Sequence, residues 1–426
     1  MTAGERTWFG QPRGLTILFL TNMWETFSYY GMRALLVYYM TKQLLIAQDR
    51  ASLIYGTYTA CAYFTPIIGG VVADRVLGKR RAIVIGGTIM AIGHFLMAFE
   101  PLFYVALGTI ALGNGLFLPS LPSQIDDLYE PGDPRVGWAY NVYYVGVNIG
   151  GFLAPLICGW LGETYGWHYG FGAAGVGMLA GVLIYVWGQR YLPATARHPA
   201  VEQGPVPRPR FGRSTVLLLI AVALSVTVFR GAYEQVGNTL PLWADSGVNK
   251  QAGAFVIPMT WFISLNPLFV ILMTPPLLAW WRRRAERRGE TMPTRRMAAG
   301  ALLVATAYVL IAGVSAVWTS AAWTWLVLFF AIFTFGELFI LPTGLGLFAR
   351  LAPKGLGATT VAAWYLAVFA GSLFAGLVGT LWGRMSHPLY FLLLAAVAAL
   401  AALLLRLIDP SARIDSKVGT PESELS

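Results

Sequence analysis

The chain has 426 residues, of which 57% are hydrophobic and only 12% are charged, and its formal net charge is +10 at pH 7. Soluble domains carry about 25% charged residues, so this composition excludes an ordinary soluble protein and indicates a chain that folds in lipid. Two cysteines and four histidines make neither a disulfide framework nor a metal site. They also offer no set of catalytic groups for a membrane enzyme.

Twelve apolar stretches follow one another along the chain, each about as long as a bilayer-spanning helix, which needs roughly 20 residues. The longest polar segment between them, 193–213, is rich in proline and arginine and predicts a cytoplasmic linker between two six-helix halves. The halves are then 1–192 and 214–408, followed by a cytoplasmic tail, 409–426. The stretches cover 15–40, 51–77, 82–99, 101–124, 138–162, 166–189, 214–244, 254–281, 297–318, 322–349, 356–383 and 387–408.

The basic residues lie almost entirely in alternate loops. With the N-terminus in the cytoplasm, 24 of the 30 Lys and Arg residues fall in cytoplasmic segments, and only 4 fall on the other side. Cytoplasmic loops of membrane proteins carry such an excess of Lys and Arg. The distribution predicts a multi-pass membrane protein with both termini in the cytoplasm. It assigns the net charge to topology, so we expect contact with membrane lipid and no nucleic-acid partner.

The segment between the second and third stretches reads Gly70-Val-Val-Ala-Asp74-Arg75-Val-Leu-Gly78-Lys-Arg80-Arg. It resembles the signature loop G-x-x-x-D-R-x-x-G-R-R of the major facilitator superfamily, whose two six-helix halves bind substrate between them. Its glycines would let two helices approach closely, and Asp74 would pair with a basic group or a helix end. The alternative is a generic basic loop after a helix. The motif concerns architecture and not substrate.

Ionisable side chains within the predicted spans are the candidates for a functional site, because burying a charge in a bilayer is costly. These are Glu25 and Arg33 in the first stretch, Arg230 and Glu234 in the seventh, and Glu337 in the tenth. Arg230 and Glu234 are four residues apart, so one interpretation is a pair that only neutralises itself. Glu337 has no basic residue within a helical turn, which makes it a candidate proton carrier or counter-charge to a substrate ammonium. The alternative is a neutral carboxyl that is hydrogen-bonded to backbone.

Polar residues of the first stretch recur at spacings of three and four, which puts them on one helix face that we expect to meet the other half. A carboxylate, hydroxyls and a guanidinium on one face suit a zwitterion with polar edges. The alternative is a structural ion pair or polar packing between helices. The face consists of Asn22, Glu25, Thr26, Tyr29, Tyr30 and Arg33.

Five motifs in sequence order resemble the proton-dependent oligopeptide transporter family. The first stretch is similar to the family's E-x-x-E-R-F-x-Y-Y-G-x-R, and the fifth to F-Y-x-G-I-N-L-G-A-x-x-x-P. The eighth is similar to W-F-Q-S-x-N-P-x-F. The matching segments are Asn22-Met-Trp-Glu25-Thr26-Phe-Ser-Tyr29-Tyr30-Gly-Met-Arg33, Tyr144-Val-Gly-Val-Asn148-Ile-Gly-Gly-Phe-Leu-Ala-Pro155, Tyr233-Glu234-Gln235, Trp261-Phe-Ile-Ser-Leu-Asn266-Pro-Leu-Phe and Gly336-Glu337-Leu338, with Trp364 in the eleventh stretch.

The resemblance implies a role for each matching position in binding a di- or tripeptide. Arg33 would contact the peptide carboxylate, Glu337 would meet the amino terminus, and Trp364 would line a side-chain pocket. The residues that would hydrogen-bond the peptide backbone are Tyr29, Tyr30, Tyr63, Asn148 and Asn266.

Three positions depart from the family pattern. Asn22 and Thr26 replace the first glutamate and the arginine of the E-x-x-E-R element, and Leu118 stands where the family usually has lysine. Together these changes leave Glu25 without its usual charged partners. The linker is also too short for the extra helix pair of many bacterial relatives.

The sequence therefore predicts an all-α membrane protein with the major facilitator fold, a monomeric symporter of protons with di- and tripeptides that needs no cofactor or metal. In this hypothesis Arg33 and Glu234 pair between the halves on the extracellular side, and protonation of Glu234 releases Arg33 during alternating access. Glu25 or Glu337 would hold a further proton. The alternative is a proton-independent facilitator, or a symporter of other small solutes.

Overall fold

The computed structural model describes 10–130, 133–193, 212–289, 291–353 and 356–408. Most of the predicted linker and the whole predicted tail lie outside these residues. The described chain is almost wholly helical, which confirms the predicted all-α class.

The helices α1–α14 differ widely in length, and π-helical turns at Ala73–Leu77 and Pro155–Gly159 extend α2 and α5. A short 3₁₀ segment at Glu234–Val236 follows α8, and another at Met259–Ser264 precedes α10. The helices are α1 Arg13–Lys42, α2 Gln48–Val72, α3 Lys79–Leu96, α4 Phe103–Ser120, α5 Val136–Ala154, α6 Trp160–Tyr165, α7 Trp167–Gly188, α8 Arg213–Tyr233, α9 Thr239–Gly247, α10 Leu265–Arg288, α11 Pro293–Val317, α12 Thr324–Arg350, α13 Gly357–Gly379 and α14 His387–Leu407.

Four strands of two residues each form the only described sheets. Strand β1 (Val248–Asn249) pairs in parallel with β4 (Ala321–Ala322), and β2 (Gln251–Ala252) pairs antiparallel with β3 (Phe255–Val256).

Ten helical segments among the described residues are long and apolar enough to cross a membrane. They indicate a multi-pass membrane protein. The predicted first and third spans, α1 and α3, are not among the ten: α1 carries Glu25 and Arg33 in its middle, and α3 has 18 residues and begins with three basic ones. The segments are Gln48–Leu77, Glu100–Leu128, Val136–Tyr165, Trp167–Tyr191, Arg213–Gly247, Met259–Arg288, Pro293–Val317, Thr324–Arg350, Thr359–Arg384 and His387–Leu407.

The helices pack in two groups that we call the N-terminal group (α1–α7) and the C-terminal group (α8–α14). In the first, α1 packs on α5 and α7, and α4 packs on α2 and α3. In the second, α11 packs on α12 and α14, while α8 packs on α13 and α14. The groups meet mainly where α2 packs on α13 and α5 packs on α10.

The predicted signature loop forms the turn from α2 to α3. Gly78 ends the π-helical turn with φ of +77°, a left-handed conformation that glycine adopts without strain. Arg80 donates to the carbonyls of Leu192 and Pro193 at 2.7 and 2.5 Å, which ties α3 to the segment after α7. Gly70 faces Pro119 of α4, as expected for close helix packing. Arg75 and Asp74 are exposed, and the carboxylate of Asp74 makes no hydrogen bond or ion pair within the described chain.

Close approach of α2 to α13 depends on glycine. A Cβ atom built on Gly56 would lie 2.5 Å from the Cα atom of Gly376, so any larger side chain forces the two helices apart. This contact joins the N-terminal group to the C-terminal group without an intervening side chain.

We expect Gly56→Ala to lower the melting temperature of the detergent-purified protein, because overpacking a close contact costs about 1–3 kcal/mol. Gly108→Ala in α4 is the matched control, since a Cβ atom there meets nothing within 4 Å. Alanine in place of a helical glycine otherwise adds about 1 kcal/mol of stability. Equal melting temperatures for the two variants would contradict the role assigned to Gly56.

Candidate functional site

Glu234 lies at the contact between the two groups, fully buried and between two arginines. It begins the 3₁₀ segment after α8. Arg33 of α1 donates to its Oε2 atom, and Arg230 of α8 donates to its Oε1 atom. The predicted contact of Arg33 with Glu234 is present, and so is the predicted pair of Arg230 with Glu234. One carboxylate therefore serves two guanidinium groups from opposite groups of helices.

Arg33 is also held by its own group of helices. Its Nε and Nη2 atoms donate to the hydroxyl of Tyr55 on α2 at 2.8 and 2.6 Å. The guanidinium lies 5.8 and 5.5 Å from the ring centres of Tyr30 and Tyr55, within the range of cation–π attraction. The Tyr55 hydroxyl is 3.3 Å from Oε2 of Glu234. We call Arg33, Tyr55, Arg230 and Glu234 the charge cluster.

Arg230 is 3% exposed and lies between two aromatic rings. Its guanidinium is 5.0 Å from the ring centre of Tyr63 on α2 and 5.2 Å from that of Tyr233 on α8. Its Nη2 atom donates weakly to the hydroxyl of Ser372 on α13 at 3.4 Å, and its Nε atom has no acceptor among the described residues. Glu234 is therefore the main polar partner of Arg230.

Glu337 on α12 is buried beside the charge cluster. It accepts hydrogen bonds from the hydroxyl of Tyr233 at 2.8 Å and from the amide of Asn266 at 2.5 Å. The same amide lies 3.1 Å from the hydroxyl of Thr334. Both partners of the Glu337 carboxyl are side chains, whereas the alternative interpretation of this residue expected hydrogen bonds to the backbone.

A cavity between the two groups brings several predicted residues together. Tyr30 and Arg33 line it from the N-terminal group, and Tyr233 and Asn266 line it from the C-terminal group. Glu337 lies directly behind Asn266 and Tyr233. The cavity thus has a guanidinium on one wall and a carboxylate behind the opposite wall.

Tyr29 lies next to Tyr30 of this cavity, whereas Tyr63 lies next to Arg230 of the charge cluster. The ring of Tyr29 contacts that of Tyr30 edge-on at 5.5 Å. Tyr63 stacks on Tyr365 at 6.5 Å and faces Arg230.

Two other predicted residues lie apart from the cavity. Asn148 donates to the carbonyl of Tyr144 in its own helix at 2.9 Å. Trp364 is buried in the core of the C-terminal group, edge-on to Phe348 at 5.4 Å.

The predicted polar face of α1 is divided between two surroundings. Arg33 and Tyr30 meet the C-terminal group, whereas Asn22 donates to the carbonyl of Tyr143 in α5 at 3.5 Å. Glu25 is buried, and its carboxylate accepts only from the hydroxyl of the adjacent Thr26 at 3.2 Å among the described residues. The expectation that the whole face meets the other half is therefore wrong, because α1 also packs against α5 and α7 within its own group.

Polar contacts between the groups concentrate at the end where α1 ends and α2 begins, which we call the outer end after the topology predicted from the sequence. Ser52 of α2 donates to Asn238 at 3.0 Å, and Gln48 donates to the carbonyl of Gly379 at 2.9 Å. Glu163 accepts from the backbone amides of Met259 and Thr260 at 3.0 and 2.9 Å. Lys42 forms an ion pair with Asp245 at 3.1 Å. These contacts close the space above the charge cluster.

Sequence reasoning missed Tyr55 and the position of Arg230 beside Arg33. Tyr55 precedes Tyr63 by eight residues, a spacing that places both on one helix face. That pattern was available as a signal. The position of Arg230 against Arg33 had no sequence signal, because it depends on how α1 packs against α8.

A buried, charged cavity between two groups of membrane-spanning helices is typical of a solute transporter of the membrane. A family model described as the POT family matches residues 80–203 and 212–393, more than half of the chain. The chain belongs to the POT family, which confirms the resemblance drawn from the sequence motifs.

Relatives and solved structures agree with this assignment. The chain is 29% identical to "Peptide transporter YePEPT" of Yersinia enterocolitica over 97% of each chain. It is 30% identical to "Di-/tripeptide transporter" of Lactococcus lactis subsp. cremoris, over 85% of this chain and 88% of that one. A crystal structure of "peptide transporter POT" in complex with sulfate superposes with a TM-score of 0.88 and 28% identity, covering 96% of each chain.

We expect Tyr55→Phe to loosen the charge cluster, because it removes the hydroxyl that binds Arg33. A hydrogen bond to a charged group contributes about 1.5–3 kcal/mol, so the melting temperature in detergent should fall. Tyr104→Phe is the matched control, since Tyr104 is 64% exposed. A melting temperature that falls no further in Tyr55→Phe than in Tyr104→Phe would remove Tyr55 from the cluster.

Proposed function

We propose that this protein carries di- and tripeptides across the bacterial cytoplasmic membrane together with protons. The observation that carries the proposal is the pairing of Arg33 on one wall of the cavity with Glu337 behind the other. A peptide presents a carboxylate at one end and an ammonium at the other. Hydroxyls and an amide between them, from Tyr30, Tyr233 and Asn266, suit the peptide backbone. The names of the relatives as peptide transporters support the same substrate class.

The proposed topology is twelve spans in two six-helix halves of the major facilitator type. The ten strongly apolar segments together with α1 and α3 make twelve spans. Contacts with other parts of the protein accommodate the charges of α1 and α3. The halves are 1–192 and 214–408, joined by the linker 193–213 and followed by the tail 409–426, with both termini in the cytoplasm. We propose that the protein acts as a monomer without a cofactor.

The proposed mechanism is alternating access around the cavity. The contacts at the outer end would hold the extracellular side closed, with the bond from Arg33 to Glu234 as the innermost of them. Opening that side breaks this bond and frees Arg33 for the peptide carboxylate. The coupling proton would bind one of three buried carboxyl groups, Glu25, Glu234 or Glu337.

A proton-independent facilitator is the second candidate. The observation that favours it is the absence of a charged partner for the buried Glu25 carboxylate, which accepts only from the hydroxyl of Thr26 among the described residues and stands where the family motif has charged neighbours. Uptake of labelled dialanine into proteoliposomes separates the two candidates. A symporter accumulates dialanine above its external concentration when an inward proton gradient is imposed, whereas a facilitator only equilibrates it.

Analogues with one blocked end test the proposed positions of the peptide termini. Wild-type uptake of dialanine should be inhibited by dialanine but poorly by its carboxyl amide or its N-acetyl derivative. Arg33→Ala should lose the preference for a free carboxylate, and Glu337→Gln should lose the preference for a free ammonium. Each loss should be about tenfold to a hundredfold in competition, since a hydrogen bond to a charged group contributes about 1.5–3 kcal/mol.

The matched controls are Arg282→Ala and Glu286→Gln, which alter exposed side chains at the end of α10. Both should keep the wild-type preferences. Unchanged preferences in Arg33→Ala and Glu337→Gln would refute the assignment of the two ends.

A further inference from the structure

The two arginines of the charge cluster bind separate oxygens of Glu234. Arg33 binds Oε2 and Arg230 binds Oε1, so neither bond has to break for the other to form. Arg230 and Glu234 are four residues apart on the same helical segment, whereas Arg33 is 201 residues away in the other group. The carboxylate thus has one partner that moves with it and one that does not.

Separation of the two groups of helices would divide the cluster cleanly. Arg33 keeps two hydrogen bonds to Tyr55, which belongs to the same group. Glu234 keeps Arg230, whose side chain lies against Gly371 of α13 in its own group. Each side therefore retains a polar partner when the bond from Arg33 to Glu234 breaks.

The charges of the site and of a bound peptide then balance without a proton. The peptide carboxylate pairs with Arg33, the peptide ammonium pairs with Glu337, and Glu234 pairs with Arg230. Without Arg230, release of Arg33 would leave Glu234 as an unpaired buried charge. Such a charge is costly, and a carboxylate in that position takes up a proton instead.

We propose that Arg230 is the permanent counter-ion of Glu234, so the outer end opens without a proton on Glu234. This inference rests on the proposed function and narrows it: Glu234 positions Arg33, and any coupling proton binds Glu25 or Glu337. It also replaces the expectation that protonation of Glu234 releases Arg33. Protonated Glu234 would leave two buried arginines without their shared anion, which is unfavourable.

Ionisable groups from several packed helices surround Glu234, and Arg230 is the cation that stays with it when the groups separate. The tyrosines are neutral at physiological pH and add no counter-charge. The groups are Tyr29, Tyr30 and Arg33 on α1, Tyr55 on α2, Arg230 and Tyr233 on α8, Tyr308 on α11 and Glu337 on α12.

Opening of the outer end can be measured without substrate. Ser52 is buried at the outer end, so a thiol in Ser52→Cys becomes accessible to a membrane-impermeant maleimide only when that end opens. The background is Cys61→Ala/Cys158→Ala, which removes the native thiols. Labelling rates of the full-length protein in proteoliposomes are compared at acidic and alkaline pH for Arg230→Met and for Arg384→Met, an exposed control.

The labelling rate should depend on pH in the same way in the protein with an unmodified charge cluster and in its Arg384→Met variant. In Arg230→Met the labelling rate should fall as the pH rises, by up to about tenfold per pH unit. The reason is that Glu234 must now bind a proton before Arg33 leaves. Adding Glu234→Gln to Arg230→Met should abolish this additional dependence, and Arg230→Lys should show little of it. If Arg230→Met fails to fold, two variants remain for the test: Arg230→Lys keeps both charges of the pair, and Arg230→Met/Glu234→Gln removes both. Neither should show the additional pH dependence.

Identical pH dependence in Arg230→Met and Arg384→Met would overturn the role of Arg230. A pH dependence in Arg230→Lys or in Arg230→Met/Glu234→Gln that the unmodified cluster lacks would overturn it as well. Failure of dialanine uptake, with labelling as expected, would instead refute the proposed substrate and leave Arg230 as the counter-ion.

Discussion

The buried carboxylate of Glu234 is the interaction on which the rest of the site depends. It joins the N-terminal group to the C-terminal group through Arg33, and it neutralises Arg230 within the C-terminal group. Burying these charges is tolerable only because each has a partner with hydrogen-bonding geometry. The same requirement places Tyr55 against Arg33 and packs two aromatic rings around Arg230. The polar contacts at the outer end then close the structure above this cluster.

Much of the fold could be predicted from the sequence, because lipid imposes long apolar segments. The limits of that logic appear at α1 and α3. Both carry charges that a hydropathy criterion counts against a span. In the structure, Arg33 of α1 is paired with Glu234, and Arg80 of α3 is bonded to backbone carbonyls after α7. Protein contacts, which the sequence does not display, satisfy these side chains.

The residues of the candidate site were predictable, and so were the separate pairs of Glu234 with Arg33 and with Arg230. Arg33, Glu234 and Glu337 stood out because charged residues are rare inside apolar spans. The shared carboxylate did not, since Arg33 and Arg230 lie in different groups of helices and only tertiary packing brings them to the same oxygen pair. Asn148 and Trp364 show the reverse case. Their positions match the family motifs, yet in this structure one bonds its own helix and the other packs in the core.

The central claim is that Arg33 and Glu337 hold the two ends of a peptide while Glu234 stays with Arg230. An experimental structure of the protein with bound dialanine tests it most directly. We predict the peptide carboxylate on Arg33, the ammonium on Glu337, and an intact bond between Arg230 and Glu234. A peptide bound in the reverse orientation, or a peptide carboxylate that displaces Glu234 from Arg230, would contradict this account.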